Sequence, residues 1–363
     1  MVENSRGSNG LPPQEPMIDL VRRTPDDFLL SYNKATGLKG WSLEKWPAGL
    51  LILGMGGSGI SGLLLQTLMV KECPVPLIWS RDLFLPAYLD ERWLVVAVSY
   101  SGNTWETLKT LQEVEALGLP WRGLASGGSL TAKAREAGAL IHTLEPGLPP
   151  RSMSLAALAG LLALFHHLLP SLSSQIEETR REMAEDMVDW DLLGRSRLSP
   201  PEKCGAWPVF PRDPHLLADL LVSRFPLFYG WGMVGEAVAY RWMCQMAENA
   251  KVPSHAHRLP ELLHNEIVAW KEWGSLRPAP VLLRIDTEAR PVVDAAGTPW
   301  DRVWRELEGA GIEAWSIPAA GGSLLSRSLR QVLLGDAVSV LSARRRRVAA
   351  TPVPAIERLK AER

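Results

Sequence analysis

Short apolar runs alternate with helix-compatible stretches through the first half of the 363-residue chain. The apolar runs have the length of buried strands, and the stretches between them have the composition of helices. This alternation predicts an α/β fold in which helices flank a doubly wound parallel β-sheet. The predicted strands lie at 50–54, 76–79, 93–98, 121–125 and 139–144. One helix is predicted to follow the first strand and to end at about residue 70, and two more are predicted over 103–117 and near 129–137.

A second group of strands and helices follows a stretch rich in proline and turn formers at 195–215, which we interpret as a linker. Upstream of it, an apolar helix is predicted over 154–169 and a charged helix over 175–192. The later strands are predicted at 280–285 and 312–317, with helices near 299–310 and 322–343 and a short helix after Pro352. A chain of this length accommodates two domains. The predicted division is a tail with one or two short helices (1–44), a first domain (45–194), the linker (195–215), a second domain (216–350) and a C-terminal helix (351–363).

An internal repeat relates the two halves. L-I-L-G-M-G-G-S-G at 51–59 and L-F-Y-G-W-G-M-V-G at 227–235 share the same strand, glycine pattern and following helix. The repeat predicts two domains of one fold. The copies differ chemically, because Met233 and Val234 stand where the first copy has Gly57 and Ser58. We therefore expect the second turn to be structural.

Two turns of the first domain have the composition of a phosphate site. One is G-M-G-G-S-G from Gly54, and the other is S-Y-S-G-N-T from Ser99. Both lie where a strand passes into a helix, and the first N–H groups of a helix lack intrahelical partners and attract anions. A single turn of this kind is more often a simple helix cap, but two in one domain favour a ligand. The candidate phosphate-binding residues are Gly57, Ser58, Ser99, Ser101 and Thr104.

The spacing G-x-G-x-x-G after a strand also allows a dinucleotide-binding interpretation. That site needs an acidic residue about 20 positions further on. No clear candidate follows the first copy, since Asp82 lies too far along the chain. The S-Y-S-G-N-T turn has no role in such a site, so this interpretation is disfavoured.

Taken together, the two turns resemble the sugar isomerase (SIS) domain, which holds the phosphate of a sugar phosphate in this way. Three later stretches narrow the resemblance to the bifunctional phosphoglucose/phosphomannose isomerases. They are A-E-N-A-K-V-P from Ala247, E-L-L-H-N-E-I from Glu261 and T-P-V-P-A-I-E-R-L-K from Thr351. The likeness extends from about residue 45 to the end and implies two SIS-type domains, each a doubly wound parallel sheet.

The implied reaction is a cofactor-independent interconversion of glucose 6-phosphate, and of mannose 6-phosphate, with fructose 6-phosphate. Such a reaction needs a carboxylate that moves a proton between C2 and C1 and a group that opens the sugar ring. By resemblance, Glu248 is the base and His264 the ring-opening group. The family's arginine, which is thought to stabilise the enediolate, corresponds to Arg151, and its C-terminal lysine to Lys360. The resemblance also implies a homodimer in which His264 enters the partner's site.

A metal site and a non-catalytic regulator are the alternatives. His255, His257 and His264 with Glu261 and Glu266 have metal-ligating side chains, but we place the first two in a proline-flanked loop. The zinc-dependent mannose-phosphate isomerases have a different, all-β fold. We therefore expect no metal and no other cofactor. A sugar-phosphate-binding regulator with this fold has no use for Glu248, His264 and Lys360 together.

The composition mainly excludes classes of partner and of cellular location. A net charge of −1 with 22% charged residues gives no reason to expect nucleic acid or an anionic membrane as partner. Three scattered cysteines favour a reducing compartment. The chain shows no apolar run long enough to span a membrane and no apolar core of a signal peptide near its start. We expect a cytoplasmic enzyme whose partners are a small sugar phosphate and a second copy of itself.

Overall fold

The computed structural model describes residues 16–192, 194, 209–273, 275–285 and 298–362. The predicted tail up to residue 15, residues 195–208 of the predicted linker and Cys204 lie outside this range. Within the described ranges, no helix is both long and apolar enough to cross a membrane.

The first sheet has five parallel strands, β1 to β5, in the order β2-β1-β3-β4-β5. β1 and β3 are buried along their whole length, which explains their unbroken apolar sequences. The predicted strands and helices of this region are all present. Their bounds are β1 Gly49–Gly54, α2 Gly56–Leu68, β2 Leu77–Ser80, β3 Trp93–Val98, α3 Trp105–Ala116, β4 Trp121–Ala125, α4 Gly128–Ala137 and β5 Leu140–Thr143.

The second sheet has four parallel strands, β6 to β9, in the order β7-β6-β8-β9. The order second, first, third, fourth is the same as in the first sheet, so the structure confirms two α/β units of one topology. The domain boundaries drawn from the sequence stay a prediction. The elements are α7 Pro214–Leu221, β6 Phe225–Trp231, α8 Gly232–Gln245, β7 His255–Leu259, β8 Pro278–Arg284, α9 Pro299–Gly309, β9 Trp315–Pro318 and α10 Leu324–Arg346, with α11 Pro354–Ala361 at the end.

The two glycine turns of the repeat have the same backbone geometry. Gly56 and Gly232 occupy equivalent positions and both have positive φ, 54° and 62°. In each copy the first glycine of the motif lies against the last, Gly54 against Gly59 and Gly230 against Gly235. A Cβ on Gly59 would lie 2.8 Å from the carbonyl oxygen of Gly54, and one on Gly230 would lie 2.0 Å from that of Gly235. These glycines are therefore required by close packing of the strand on its helix.

The main core lies between the two sheets. Alternate residues of β1, such as Leu50 and Ile52, share it with Phe228 and Val281 from the second sheet. The other face of each sheet is buried in a smaller cluster of its own. α2 and α8, the helices that follow the two glycine turns, pack against each other inside the shared core. The carboxyl ends of the first sheet therefore lie beside residues of the second unit.

Several helices build the frame around this core. α1 (Met17–Thr36) is one continuous helix where one or two short ones were predicted, and Pro25 lies inside it. α1 packs on α5 (Ser154–Leu162), which a 3₁₀ turn at Ala163–Phe165 continues, and on α6 (Leu172–Trp190). The predicted apolar and charged helices therefore exist.

One assignment was wrong. His255 and His257, placed in a loop from the sequence, belong to β7, which pairs in parallel with β6. β7 is an edge strand, and its sequence H-A-H-R-L is polar at three of its five positions. It has no apolar run because a strand at the edge of a sheet is only half-buried. The segment 252–263 is therefore only partly a loop.

Candidate active site

A cavity of about 630 Å³ opens at the carboxyl end of the first sheet. Both glycine- and serine-rich turns of the first unit contribute to its wall. It also contains residues from the 3₁₀ turn at Pro150–Met153, from the π-helix that continues α8 at Met246–Ala250, and from α11. The candidates that line it together are Gly57, Ser58, Ser101, Thr104, Arg151, Glu248 and Lys360.

The first turn is held close to the arginine segment. A Cβ on Gly57 would lie 3.1 Å from both the N and Cα atoms of Arg151, so glycine lets the two backbones meet. Ser58 Oγ accepts a hydrogen bond of 3.0 Å from the backbone N–H of Tyr100, which joins the first turn to the second. The hydroxyl hydrogen of Ser58 is then left to donate into the cavity.

The second turn orients Thr104 through Ser99. Ser99 is fully buried and does not line the cavity. Its Oγ donates to Thr104 Oγ1 at 2.8 Å and accepts from the Thr104 N–H at 3.3 Å. Thr104 Oγ1 thus accepts a hydrogen bond from Ser99, and its own hydrogen is left to donate elsewhere. The structure therefore places Ser99 beneath the turn as a support for Thr104, whereas Ser101 and Thr104 face the cavity.

Arg151 is a buried cation held by groups from the second unit. Its side chain is 3% exposed, its Nε donates to Asn249 Oδ1 at 2.7 Å, and Nη2 donates to the carbonyl oxygens of Ala350 and Thr351 at 2.9 and 2.6 Å. Nη1 lies 3.8 Å from Oε2 of Glu248. Burial lowers the pKa of Arg151, and the Glu248 carboxylate opposes that change. The guanidinium stays charged, because arginine remains protonated throughout the pH range in which proteins work.

A second buried arginine fixes the backbone of the first. Arg241 of α8 pairs with Asp336 of α10 at 2.9 Å and is fully buried. Its Nη2 also donates to the carbonyl oxygen of Arg151 at 2.7 Å. Ser154 receives a hydrogen bond of 3.2 Å from Arg241 Nη1. Such a fully paired network rigidifies the contact between the two units at the cavity wall.

Glu248 lies on the single π-helical turn at Met246–Ala250, which directly follows α8. Its side chain is 27% exposed and faces the cavity. The neighbouring Asn249 is fully buried, accepts from Arg151 and donates to Ser339 Oγ at 2.9 Å. π-Helical turns are rare and occur often at functional sites. The turn places the Glu248 carboxylate beside Arg151 and the Asn249 amide behind it.

Lys360 reaches the cavity from α11, a helix whose residues 354–360 are all exposed. Val353, Ile356 and Leu359 line the same cavity. α11 therefore lies across the opening as a cover with little packing of its own.

His264 is not among the cavity residues of its own chain. It is exposed and ends the 3₁₀ turn at Glu261–His264, which packs on β7. Close by, Glu266 accepts from the Tyr229 hydroxyl and lies 3.0 Å from His255 Nε2. The hydrogen bond to Glu266 raises the pKa of His255. Burial acts to raise the pKa of Glu266, but the bonds from His255 and Tyr229 outweigh it and lower the value.

The histidine cluster can be compared with a metal site. His255 and His257 have ring centroids 5.8 Å apart. Across the described part of the chain, no three His, Cys, Asp or Glu side chains converge as metal ligands would. His255 bonds a carboxylate and His257 Nδ1 accepts from the Arg258 N–H, so these rings have protein partners.

Comparison with known proteins shows the family of the chain. Residues 212–362 match the family described as the bacterial phospho-glucose isomerase C-terminal SIS domain. The bifunctional phosphoglucose/phosphomannose isomerase of Caldicellulosiruptor bescii is 32% identical over 95% of this chain and 98% of its own length. The chain belongs to the bifunctional phosphoglucose/phosphomannose isomerase family. The corresponding protein of Aquifex aeolicus is 29% identical over 86% of this chain and 90% of its own.

The fold is also found among solved structures. Tagatose-6-phosphate ketose/aldose isomerase from Escherichia coli superposes with a TM-score of 0.61, covering 92% of this chain and 95% of that one at 12% identity. At so low an identity the likeness concerns the fold alone. Together with the SIS-domain family match, it confirms the predicted SIS architecture for this member of the bifunctional isomerase family.

Sequence reasoning missed several residues in and around the cavity of this family member. Asn249 and Lys251 were quoted within A-E-N-A-K-V-P but given no role, although Asn249 bonds Arg151 and Lys251 bonds the carbonyl oxygen of Glu248. Trp105 and Leu108 of α3 line the cavity, as do Ile356 and Leu359 of α11. No local pattern distinguishes these from core residues. The signal that was available is the polar Asn–Lys pair at the end of an apolar helix.

Proposed function

We propose that the protein is an aldose–ketose isomerase that interconverts glucose 6-phosphate, and also mannose 6-phosphate, with fructose 6-phosphate. The observation that carries the proposal is the shared cavity, whose wall contains Glu248, Arg151 and two turns suited to a phosphate. The names of the related isomerases support the same substrates.

In this proposal the phosphate binds at the two turns of the first unit. Donors converge there from Ser58, Ser101 and Thr104 and from backbone N–H groups at the N-termini of α2 and α3. The sugar then extends toward Glu248. A phosphate held at one end fixes C1 and C2 near the base, which is the positioning that raises the rate of proton transfer.

Glu248 is the proposed base that takes the proton from C2 of the aldose and returns it to C1. In the opposite direction it takes the proton from C1 of the ketose and returns it to C2. The cis-enediolate formed between these steps carries negative charge. The buried guanidinium of Arg151 offers a fixed positive charge 3.8 Å from the Glu248 carboxylate, where that intermediate forms. The proposed mechanism uses side chains alone and needs no cofactor.

Ring opening requires a group that exchanges a proton with the ring oxygen, and we assign it to His264 with Lys360 nearby. Lys360 lines the cavity of its own chain, but His264 does not. The assignment therefore implies a homodimer in which each site receives His264 from the other subunit. The exposure of His264 on a turn outside its own cavity is compatible with this arrangement.

A coupled assay of the purified protein tests the activity. Glucose 6-phosphate and mannose 6-phosphate are each supplied separately, and fructose 6-phosphate formation is followed with and without a chelator. We expect turnover of both substrates at rates that chelation leaves unchanged. Absence of turnover with both aldoses would exclude the isomerase activity. Loss of activity with the chelator would exclude the metal-free mechanism.

A further inference from the structure

The segment 350–352, which joins α10 to α11, is held by two cations. Arg151 Nη2 bonds the carbonyl oxygens of Ala350 and Thr351. Lys251 Nζ bonds those of Ala350 and Pro352 at 3.4 and 3.0 Å. Arg151 and Lys251 thus bond three consecutive carbonyl groups, which lie immediately before the helix that carries Lys360. We call residues 350–352 the strap.

Lys251 also bonds the backbone of the proposed base. Its Nζ donates to the carbonyl oxygen of Glu248 at 2.5 Å. An ammonium has three hydrogens to donate, and the three acceptors named here match that number. Lys251 thus joins the π-helical turn of Glu248 to the strap of Lys360 through a single atom.

The backbone conformation of Lys251 is also unusual. It adopts the left-handed conformation with φ 56° and ψ 39°, where glycine is the least strained residue. This conformation ends the π-helix and lets the side chain fold back over the preceding turn. A lysine at a position that favours glycine points to a need for its side chain.

α11 has few other anchors. Its residues 354–360 are exposed, and Ile356 and Leu359 are 38% and 62% exposed. The position of Lys360 in the cavity must then depend largely on the strap. Burial lowers the pKa of Lys251, with Arg151 adding to the effect and the Glu248 carboxylate opposing it.

We infer that Lys251 is a positioning residue, whose ammonium clamps the strap to the π-helical turn and so sets Lys360 relative to Glu248 across the cavity. Lys251 is not among the residues that line the cavity. The inference rests on the proposed function only where it names the reaction whose rate is measured.

Two substitutions distinguish the contribution of the Lys251 ammonium from that of its left-handed backbone conformation. Lys251→Met keeps the aliphatic stem and removes all three donors, whereas Lys251→Gly removes the side chain but relieves the left-handed strain. If the clamp matters, both lower kcat by roughly 10- to 100-fold, since small misplacements of reacting groups have effects of this size. The inhibition constant of inorganic phosphate, which reports the intact turns, should stay within about twofold. Lys39→Met, at an exposed lysine far along the chain, is the matched control and should behave as wild type.

Hydrogen–deuterium exchange gives a readout that needs no activity. We expect the peptide covering 348–360 to exchange faster in both Lys251 variants and the peptide covering 50–70 to remain unchanged. Unchanged exchange in 348–360, or unchanged kcat in both variants, overturns the inference. A wild-type protein without isomerase activity would contradict the proposed function instead, and the exchange result would then decide whether the clamp exists.

Discussion

Arg151 and Glu248 come from different halves of the chain and lie 3.8 Å apart, Nη1 to Oε2, in one cavity. The separation is longer than a hydrogen bond, and the other nitrogens of Arg151 are committed to Asn249 and to the strap. Glu248 is therefore near a fixed positive charge without being locked to it. That arrangement suits a carboxylate that must approach a substrate carbon.

Glu248→Gln should retain the fold and substrate affinity but lower kcat by a factor on the order of 10² or more, because an amide cannot accept the C2 proton. Steady-state kinetics and exchange of solvent deuterium into C2 measure the two effects. Glu72→Gln, at an exposed glutamate, serves as the control. Near wild-type turnover in Glu248→Gln would remove Glu248 from the role of base.

Mixing two inactive variants tests the shared site. Glu248→Gln and His264→Ala damage different residues, so a mixed dimer would contain one doubly damaged and one intact site. After random remixing of equal amounts, about a quarter of wild-type activity should return, by the symmetry of a two-fold assembly. Differently tagged subunits that co-purify establish that remixing occurred. If activity then remains at the sum of the two variants, His264 acts within its own chain or has no catalytic part.

The hydroxyls of Ser101 and Thr104 should contribute to phosphate binding. Ser101→Ala and Thr104→Ala are each expected to weaken binding by roughly 1 to 2 kcal/mol, with a smaller effect on turnover. Competition by inorganic phosphate and the affinity for fructose 6-phosphate measure this directly. Unchanged affinities would place the phosphate elsewhere.

Ser99→Ala is the informative comparison for these variants. Ser99 is buried and orients Thr104 through two hydrogen bonds. Its loss should weaken phosphate binding and also lower the free energy of unfolding, whereas Ser101→Ala should affect binding alone. Equal unfolding midpoints for the two variants would argue against a supporting role for Ser99.

His142 should make the protein sensitive to acid. It is buried, its Nε2 lies 3.0 Å from Ser31 Oγ, and that hydroxyl donates to the Ala156 carbonyl, so the ring donates as a neutral imidazole. Burial, with Lys34 adding to it, lowers the pKa of His142 from 6.5 to about 4. A depressed histidine pKa means that its stabilising effect is complete above pH 6.5 and is lost as the pH falls toward 4. The loss in free energy of unfolding is about 3 kcal/mol between pH 7 and pH 4.

Urea unfolding at pH 7, 5.5 and 4.5 measures this loss. His142→Gln keeps a donor for Ser31 but has no charge to gain, so its stability should fall less with acid than that of the wild type. His167→Gln, at a histidine whose side chain is 48% exposed, should follow the wild type. Parallel curves for the wild type and His142→Gln would contradict the assignment.

Much of the fold was predictable because its strands are buried. β1 and β3 have short unbroken apolar sequences of strand length that end in turn residues, and the glycine repeat indicated the second unit. β7 was not predictable, since a polar edge strand is defined by its partner β6 and by no pattern of its own.

The site was predictable in composition more than in arrangement. The turns and the Glu248 motif were visible as sequence, and the structure brings seven of the nine candidates to one cavity. Ser99 and His264 are the other two. Whether a serine of a turn faces a ligand or supports its neighbour depends on side-chain direction, and whether His264 meets a cavity depends on a second subunit. Neither is encoded in local spacing.

The unequal glycine repeat has a consequence for how such a protein can change. Both turns retain the backbone that packs a strand on its helix, but Met233 and Val234 leave the second without the hydroxyl that Ser58 supplies to the first. In a chain with two copies of the motif, both copies can keep the glycines that packing requires while only the first keeps the hydroxyl that a ligand requires. We therefore expect that architecture alone constrains the glycines of the second turn, and that its two intervening side chains can vary without cost to the chemistry.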